Sequence, residues 1–98
     1  MFEAGVGDNG AIWFAGRLDA AQAAKAETFL AGHEAPDVID FARLEYISSA
    51  GLGVLLKTQK RLMGAGGGLT LINVNNHIRD VFRYSGFDQI FRIEAAGS

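Results

Sequence analysis

A chain of 98 residues holds one domain, long enough to bury roughly 60–68% of the surface its unfolded form exposes. Apolar residues at 49% and charged residues at 20% argue against disorder, and a net charge of −2 with no basic block argues against nucleic acid as the main partner. With no cysteine, disulfides, thiol catalysis and cysteine metal sites are excluded.

The opening "MFEAGVGDNG" lacks the basic segment and apolar core of a signal peptide. The longest apolar run, Leu52 to Leu56, is far short of the ~20 residues that span a bilayer. The expectation is a soluble, cytoplasmic protein with no membrane insertion. Phe2 to Val6 is a weak strand candidate. Asn9-Gly10 then signals a hairpin with a type I′ turn, because this pair tolerates positive φ angles best. "AIWFAG" is β-branched and aromatic, which suits the returning strand.

"LDAAQAAKAETFLAG" changes to helical composition, with Asp19 as N-cap, Gln22 as its capping-box partner and Gly32 as the stop. After Pro36, "DVIDF" reads as a short buried strand. The next helix places Leu52, Leu55, Leu56, Gln59, Leu62 and Met63 on one face over about three turns, with Lys57, Lys60 and Arg61 on the other side. "GAGGG" ends it and "LTLINV" is another buried strand. "NNHIRDVFRYSG" is a second amphipathic helix, capped by Asn75 or Asn76 and closed by Gly86, with Ile78, Val81 and Phe82 inward. "QIFRI" reads as a final strand. This order predicts a single α/β domain over residues 1–98, with a mainly parallel sheet, interleaved helices and an antiparallel pair at the N-terminal hairpin.

Candidate sites are few. His33 and His77 sit near predicted helix ends, and without cysteines or a carboxylate cluster they do not predict a metal site. No G-x-S-x-G elbow surrounds the serines, so a nucleophilic hydrolase is not indicated. "GAGGG" follows a helix and precedes a strand, the reverse of a phosphate-cradling loop, and reads as a helix stop. No cofactor is expected, and the chain does not read as an enzyme. Lys57, Lys60 and Arg61 form a solvated face or a contact surface for an acidic partner. Ser48 and Ser49, in "YISSAGLGVLL", open the second helix. Serine is a favoured N-cap. A helix N-terminus also tolerates a phosphate, because its exposed amides and dipole accommodate the anion. Spacing alone leaves both readings open.

"DFARLEYISSAGLGVLL", "GRLDAAQA" and "LTLINVNNHIRDVFRYSGFDQIF" together resemble the STAS domain of the anti-sigma factor antagonists, over about residues 3 to 94. In that family a strand ending near an aspartate leads through a loop to a phosphorylatable serine, then Gly-Leu and a helix. The resemblance implies partner switching. The unphosphorylated antagonist binds a GHKL-type serine kinase that doubles as an anti-sigma factor; phosphorylation releases it, and a metal-dependent serine/threonine phosphatase resets it. By position Ser49 is the phosphoacceptor, with Ser48 as second choice. Asp19, Ser48, Ser49, Gly51 and Leu52 fall on the partner-binding segments, and Lys57, Lys60 and Arg61 extend that surface. Two departures stand out. Ser48 replaces the aspartate that many members carry before the acceptor. The family normally finishes with another helix, for which "EAAGS" is too short, so either this member lacks that helix or the sequence stops before it. STAS domains also serve as constitutive modules of lipid-transport ATPases and anion transporters. In that reading the serines only cap the helix.

Overall fold

The computed structural model describes residues 1–33 and 36–96, with strands and helices in the anticipated order. They are β1 (Phe2–Val6), β2 (Ile12–Leu18), α1 (Ala23–Ala31), β3 (Val38–Ile47), α2 (Ser49–Gly64), β4 (Thr70–Val74), α3 (Asn76–Ser85) and β5 (Arg92–Ala95). Short 3-10 turns, Ala20–Gln22 and Phe87–Gln89, precede α1 and β5.

The strands lie side by side in chain order. β1 and β2 are antiparallel, and every later pairing is parallel. Right-handed crossovers that always step in one direction put all three helices on the same face of the sheet. The burial pattern agrees: in β2, Ile12, Phe14 and Leu18 are buried while Trp13, Ala15 and Arg17 lie on the opposite face. A run of rings crosses the core beneath the helices. Phe2, Phe14, Phe41, Phe82 and Phe91 follow one another at centroid spacings of 5.1, 5.9, 6.4 and 5.6 Å. The run links β1, β2, β3, α3 and the approach to β5, so the burial of each ring depends on the next.

Five details differ from the sequence reading. The hairpin turns through Gly7–Ala11: Gly10 alone has positive φ, at 82°, and Gly10 N donates to Gly7 O at 2.9 Å. That is a four-residue turn with a left-handed glycine, not a type I′ pair. Asn9 instead accepts from Ala11 N at 3.0 Å, a use of its side chain that removes any need for positive φ. The segment after Asp19 begins as a 3-10 turn, and the α-helix proper starts at Ala23.

The strand at "DVIDF" does not stop there. β3 continues to Ile47, and no loop separates it from α2. Its core positions are Ile39, Phe41, Leu44 and Ile47, a spacing broken by two register shifts against β2. Each bulge adds a residue and hides the two-residue period. The carboxylate of Asp40 supports the first one, accepting from Ala42 N at 2.9 Å and from Asn73 Nδ2 at 3.1 Å. The "QIFRI" strand forms later than its composition suggested, at Arg92–Ala95. Finally, Met63 is 58% exposed rather than on the buried face of α2. The last residues of "EAAGS", 97 and 98, lie outside the described residues.

Candidate functional site

The two serines stand where β3 passes directly into α2. Ser48 keeps an extended backbone, with φ −92° and ψ 171°, and its Oγ accepts from Gly51 N at 3.2 Å. Its own amide donates to Leu18 O at 2.9 Å, and its carbonyl accepts from Leu52 N at 2.9 Å. Ser48 is therefore the N-cap, fastened to the end of β2 as well as to its own helix. Ser49 is the first helical residue, and its side chain is exposed. Its hydroxyl makes no hydrogen bond among the described residues.

Gly51 explains how the helix comes so close to the sheet. A β-carbon at this position would lie 2.8 Å from Leu18 Cγ and 3.0 Å from Ile47 Cγ1. Only hydrogen fits between the helix and the two strand ends. Leu52 follows, 5% exposed, in the core. Gly51 and Leu52 were anticipated on a partner surface; the structure turns both inward. They seat the first turn and thereby present Ser49, but they do not themselves form an exposed face.

Asp19 follows directly on Leu18, the residue whose carbonyl holds Ser48. Its Oδ1 accepts from Gln22 N at 3.1 Å, which caps the 3-10 turn. The Asp19 side chain is part-exposed at the same end of the sheet as the serines. Along α2, Ser49, Gly53, Lys57 and Lys60 are all exposed. Lys57 Nζ pairs with Glu27 Oε2 of α1 at 2.9 Å. Arg61 Nη2 donates to Leu30 O at 3.1 Å and to His33 O at 3.3 Å. Lys57 and Arg61 thus tie α2 to α1, while Lys60 projects beside the column of Ser49 and Gly53.

Gly53 carries a feature the sequence reading passed over. It lies one turn after Ser49, and a β-carbon there would meet nothing within 4 Å. Glycine inside a helix costs about 0.5–1 kcal/mol relative to alanine. That cost, with no packing reason, was the available signal. It leaves a strip of bare backbone next to Ser49.

The other candidates resolve into structural parts. His33 Nδ1 lies 2.8 Å from Phe29 O, with its ring 4.5 Å from the Phe29 ring; His77 is exposed. Among the described residues no three His, Cys, Asp or Glu side chains gather as a metal site. In "GAGGG", Gly67 N donates to Leu62 O at 2.8 Å, which closes the end of α2. Among the described residues no helix is long and apolar enough to cross a membrane.

Residues 2–93 match the family described as MlaB, STAS domain. Over 56 residues, 57% of its length, the chain is 48% identical to BtrV of Bordetella bronchiseptica, whose name assigns it provisionally to the anti-sigma factor antagonists. The chain spans about half, 48%, of the length of that curated relative. An anti-sigma factor antagonist from Mycobacterium paratuberculosis has a similar structure, with a TM-score of 0.84 at 23% identity, covering 96% of this chain and 86% of that one. The Bacillus cell fate determinant SpoIIAA in its phosphorylated form gives a TM-score of 0.65 at 22% identity, covering 95% of this chain and 90% of that one.

Proposed function

The chain belongs to the STAS domain family, and on that premise we propose that it is an anti-sigma factor antagonist, a non-enzymatic cytoplasmic protein that works by partner switching. Unphosphorylated, it binds a GHKL-type serine kinase that also acts as an anti-sigma factor. Phosphorylation of Ser49 releases it, and a metal-dependent serine/threonine phosphatase restores it. Ser48 is the second choice of acceptor.

One observation carries this reading: the two serines hold different jobs. Ser48 Oγ is occupied as the cap, whereas Ser49 is exposed at the first position of α2. A kinase can reach Ser49 without unmaking the cap. The likeness to BtrV, and the existence of a phosphorylated form of SpoIIAA, support the same reading.

The energetics are modest. Phosphate adds roughly −1.5 to −2 charges. A hundredfold loss of affinity needs only about 2.7 kcal/mol. Desolvating a poorly paired dianion at an interface supplies that much. The neighbouring helix is not strained by the change, because its dipole favours negative charge at this end.

The test is to incubate the protein with its kinase and ATP, map the phosphate by mass spectrometry, and measure kinase affinity for the wild type, Ser49→Ala and Ser49→Asp. Phosphate on Ser49 and a large loss of affinity in Ser49→Asp are expected. An unmodified Ser49 with unchanged binding in both variants overturns the switch. Co-purification with a transporter ATPase in place of a kinase would assign the chain to the constitutive transporter modules.

A further inference from the structure

The helices leave one face of the sheet bare. From β2 to β5 the strands are parallel, and parallel sheets are normally covered on both faces. On the bare face Trp13, Val38, Tyr46 and Ile72 are half-buried. Trp13 is in register with Asp40, and Asp40 with Ile72, so Asp40, whose carboxylate accepts from Ala42 N and Asn73 Nδ2, stands between the two apolar positions across three strands.

Beside them lies a hollow of about 340 Å³, lined by Met1, Ala15 and Gly16 together with the charged side chains of Glu3, Arg17, Arg43 and Glu45. The guanidinium of Arg43 sits 4.4 Å from the centre of the Trp13 ring, and that of Arg17 sits 4.4 Å from the centre of the Tyr46 ring. Aromatic support of this kind steadies a guanidinium while leaving its N–H edges available. Among the described residues, ion pairs form at Lys57–Glu27, Arg83–Asp80 and Arg92–Glu94, and none of the four charged groups of the hollow takes part in one. Two unpaired cations and two unpaired anions therefore share one patch with a tryptophan.

We propose that this face is a self-association surface on which a second copy of the chain packs about a two-fold axis. The mixed charge selects the occupant. A uniformly acidic partner would meet Glu3 and Glu45, and a uniformly basic one would meet Arg17 and Arg43. A rotated copy satisfies both signs at once, because in a two-fold interface residue i meets j and j meets i. Tryptophan and arginine are the residues that such interface centres favour. The hollow is on the sheet side and Ser49 is on the helix side, so a dimer keeps two Ser49 sites open. The inference is independent of the phosphoswitch.

The experiment is sedimentation equilibrium of the purified chain across a concentration series, with Trp13 fluorescence as a second readout. A reversible dimer is expected, with Trp13 emission moving to the blue as it forms. Arg43→Glu places like charges against each other across the axis and should weaken the dimer by at least about tenfold. The double swap Arg43→Glu with Glu45→Arg restores opposite signs and should recover most of that loss. Circular dichroism checks that each variant is folded. A chain that stays monomeric at about 1 mM overturns the proposal, as does a dimer indifferent to Arg43→Glu or a loss the double swap leaves in place. So does hydrogen exchange that shows this face protected only when the kinase is added.

Discussion

The amide of Ser48 donates to the carbonyl of Leu18 at 2.9 Å, so the end of β2 and the start of α2 form one hydrogen-bonded corner. The corner separates the two serines energetically. Ser48→Ala removes the acceptor for Gly51 N and should cost about 1 kcal/mol, the usual value of an N-cap. Ser49→Ala removes no bond and should stay within about 0.5 kcal/mol of wild type. Ser48→Asp keeps an acceptor in place and should leave stability intact. Urea titrations of the three variants check this order; equal losses in Ser48→Ala and Ser49→Ala would contradict it.

Phosphate on Ser49 should leave the fold standing. It joins the first turn of α2, where a negative charge gains about 0.3–1 kcal/mol from the helix dipole at low salt. Melting curves of the phosphorylated and unmodified protein should therefore coincide or show a small gain for the phosphoprotein. The small gain should fade in high salt, since the charge is exposed. A clear loss of stability on phosphorylation would mean that release works by loosening the helix rather than by changing the surface.

The two glycines of the motif predict opposite outcomes. Gly51→Ala forces a β-carbon against Leu18 and Ile47, and overpacking of this kind costs about 1–3 kcal/mol. Gly53→Ala meets no neighbour and should stabilise the helix by about 0.5–1 kcal/mol. Gly53→Ala also covers the bare backbone one turn from Ser49. If a partner approaches there, the variant will be more stable yet slower to be phosphorylated. Thermal melts and kinase assays on the same preparations read both effects. Destabilisation by Gly53→Ala would show that the open space beside it is not open in solution.

Much of this corner was readable before the structure. Order of elements, a cap at Asn75 or Asn76 and the stop at Gly86 follow from local chemistry that residue type announces, whereas Ser48 and Ser49 are alike in type and spacing and only the family resemblance set them apart. Two things did not. Bulges in β3 break its alternation, so a ten-residue strand looked like a short one followed by a loop. The inward turn of Gly51 and Leu52 depends on how near α2 lies to Leu18 and Ile47, a tertiary distance that no local pattern encodes. The same holds for the stacking of Arg17 and Arg43 on Tyr46 and Trp13, where partners come from different strands.

Gln59 supplies the last prediction, because it joins the serine-bearing helix to the far end of the sheet. It is 5% exposed. Its Oε1 accepts from Leu69 N at 2.7 Å, and its Nε2 donates to Ile90 O at 2.8 Å. Leu69 is itself buried and enters β4, so its amide has no solvent to turn to. Gln59→Leu keeps the side-chain volume and removes both bonds. The stranded amide should cost about 1–3 kcal/mol, more than surface substitutions do. For a domain of this size each kcal/mol lowers the melting temperature by roughly 4–8 °C. Hydrogen exchange at the Leu69 amide should quicken, while phosphorylation of Ser49, about three turns away along α2, should proceed at the wild-type rate. Unchanged stability and unchanged exchange at Leu69 would mean that the amide finds another acceptor, and that the strut between α2 and β4 is dispensable.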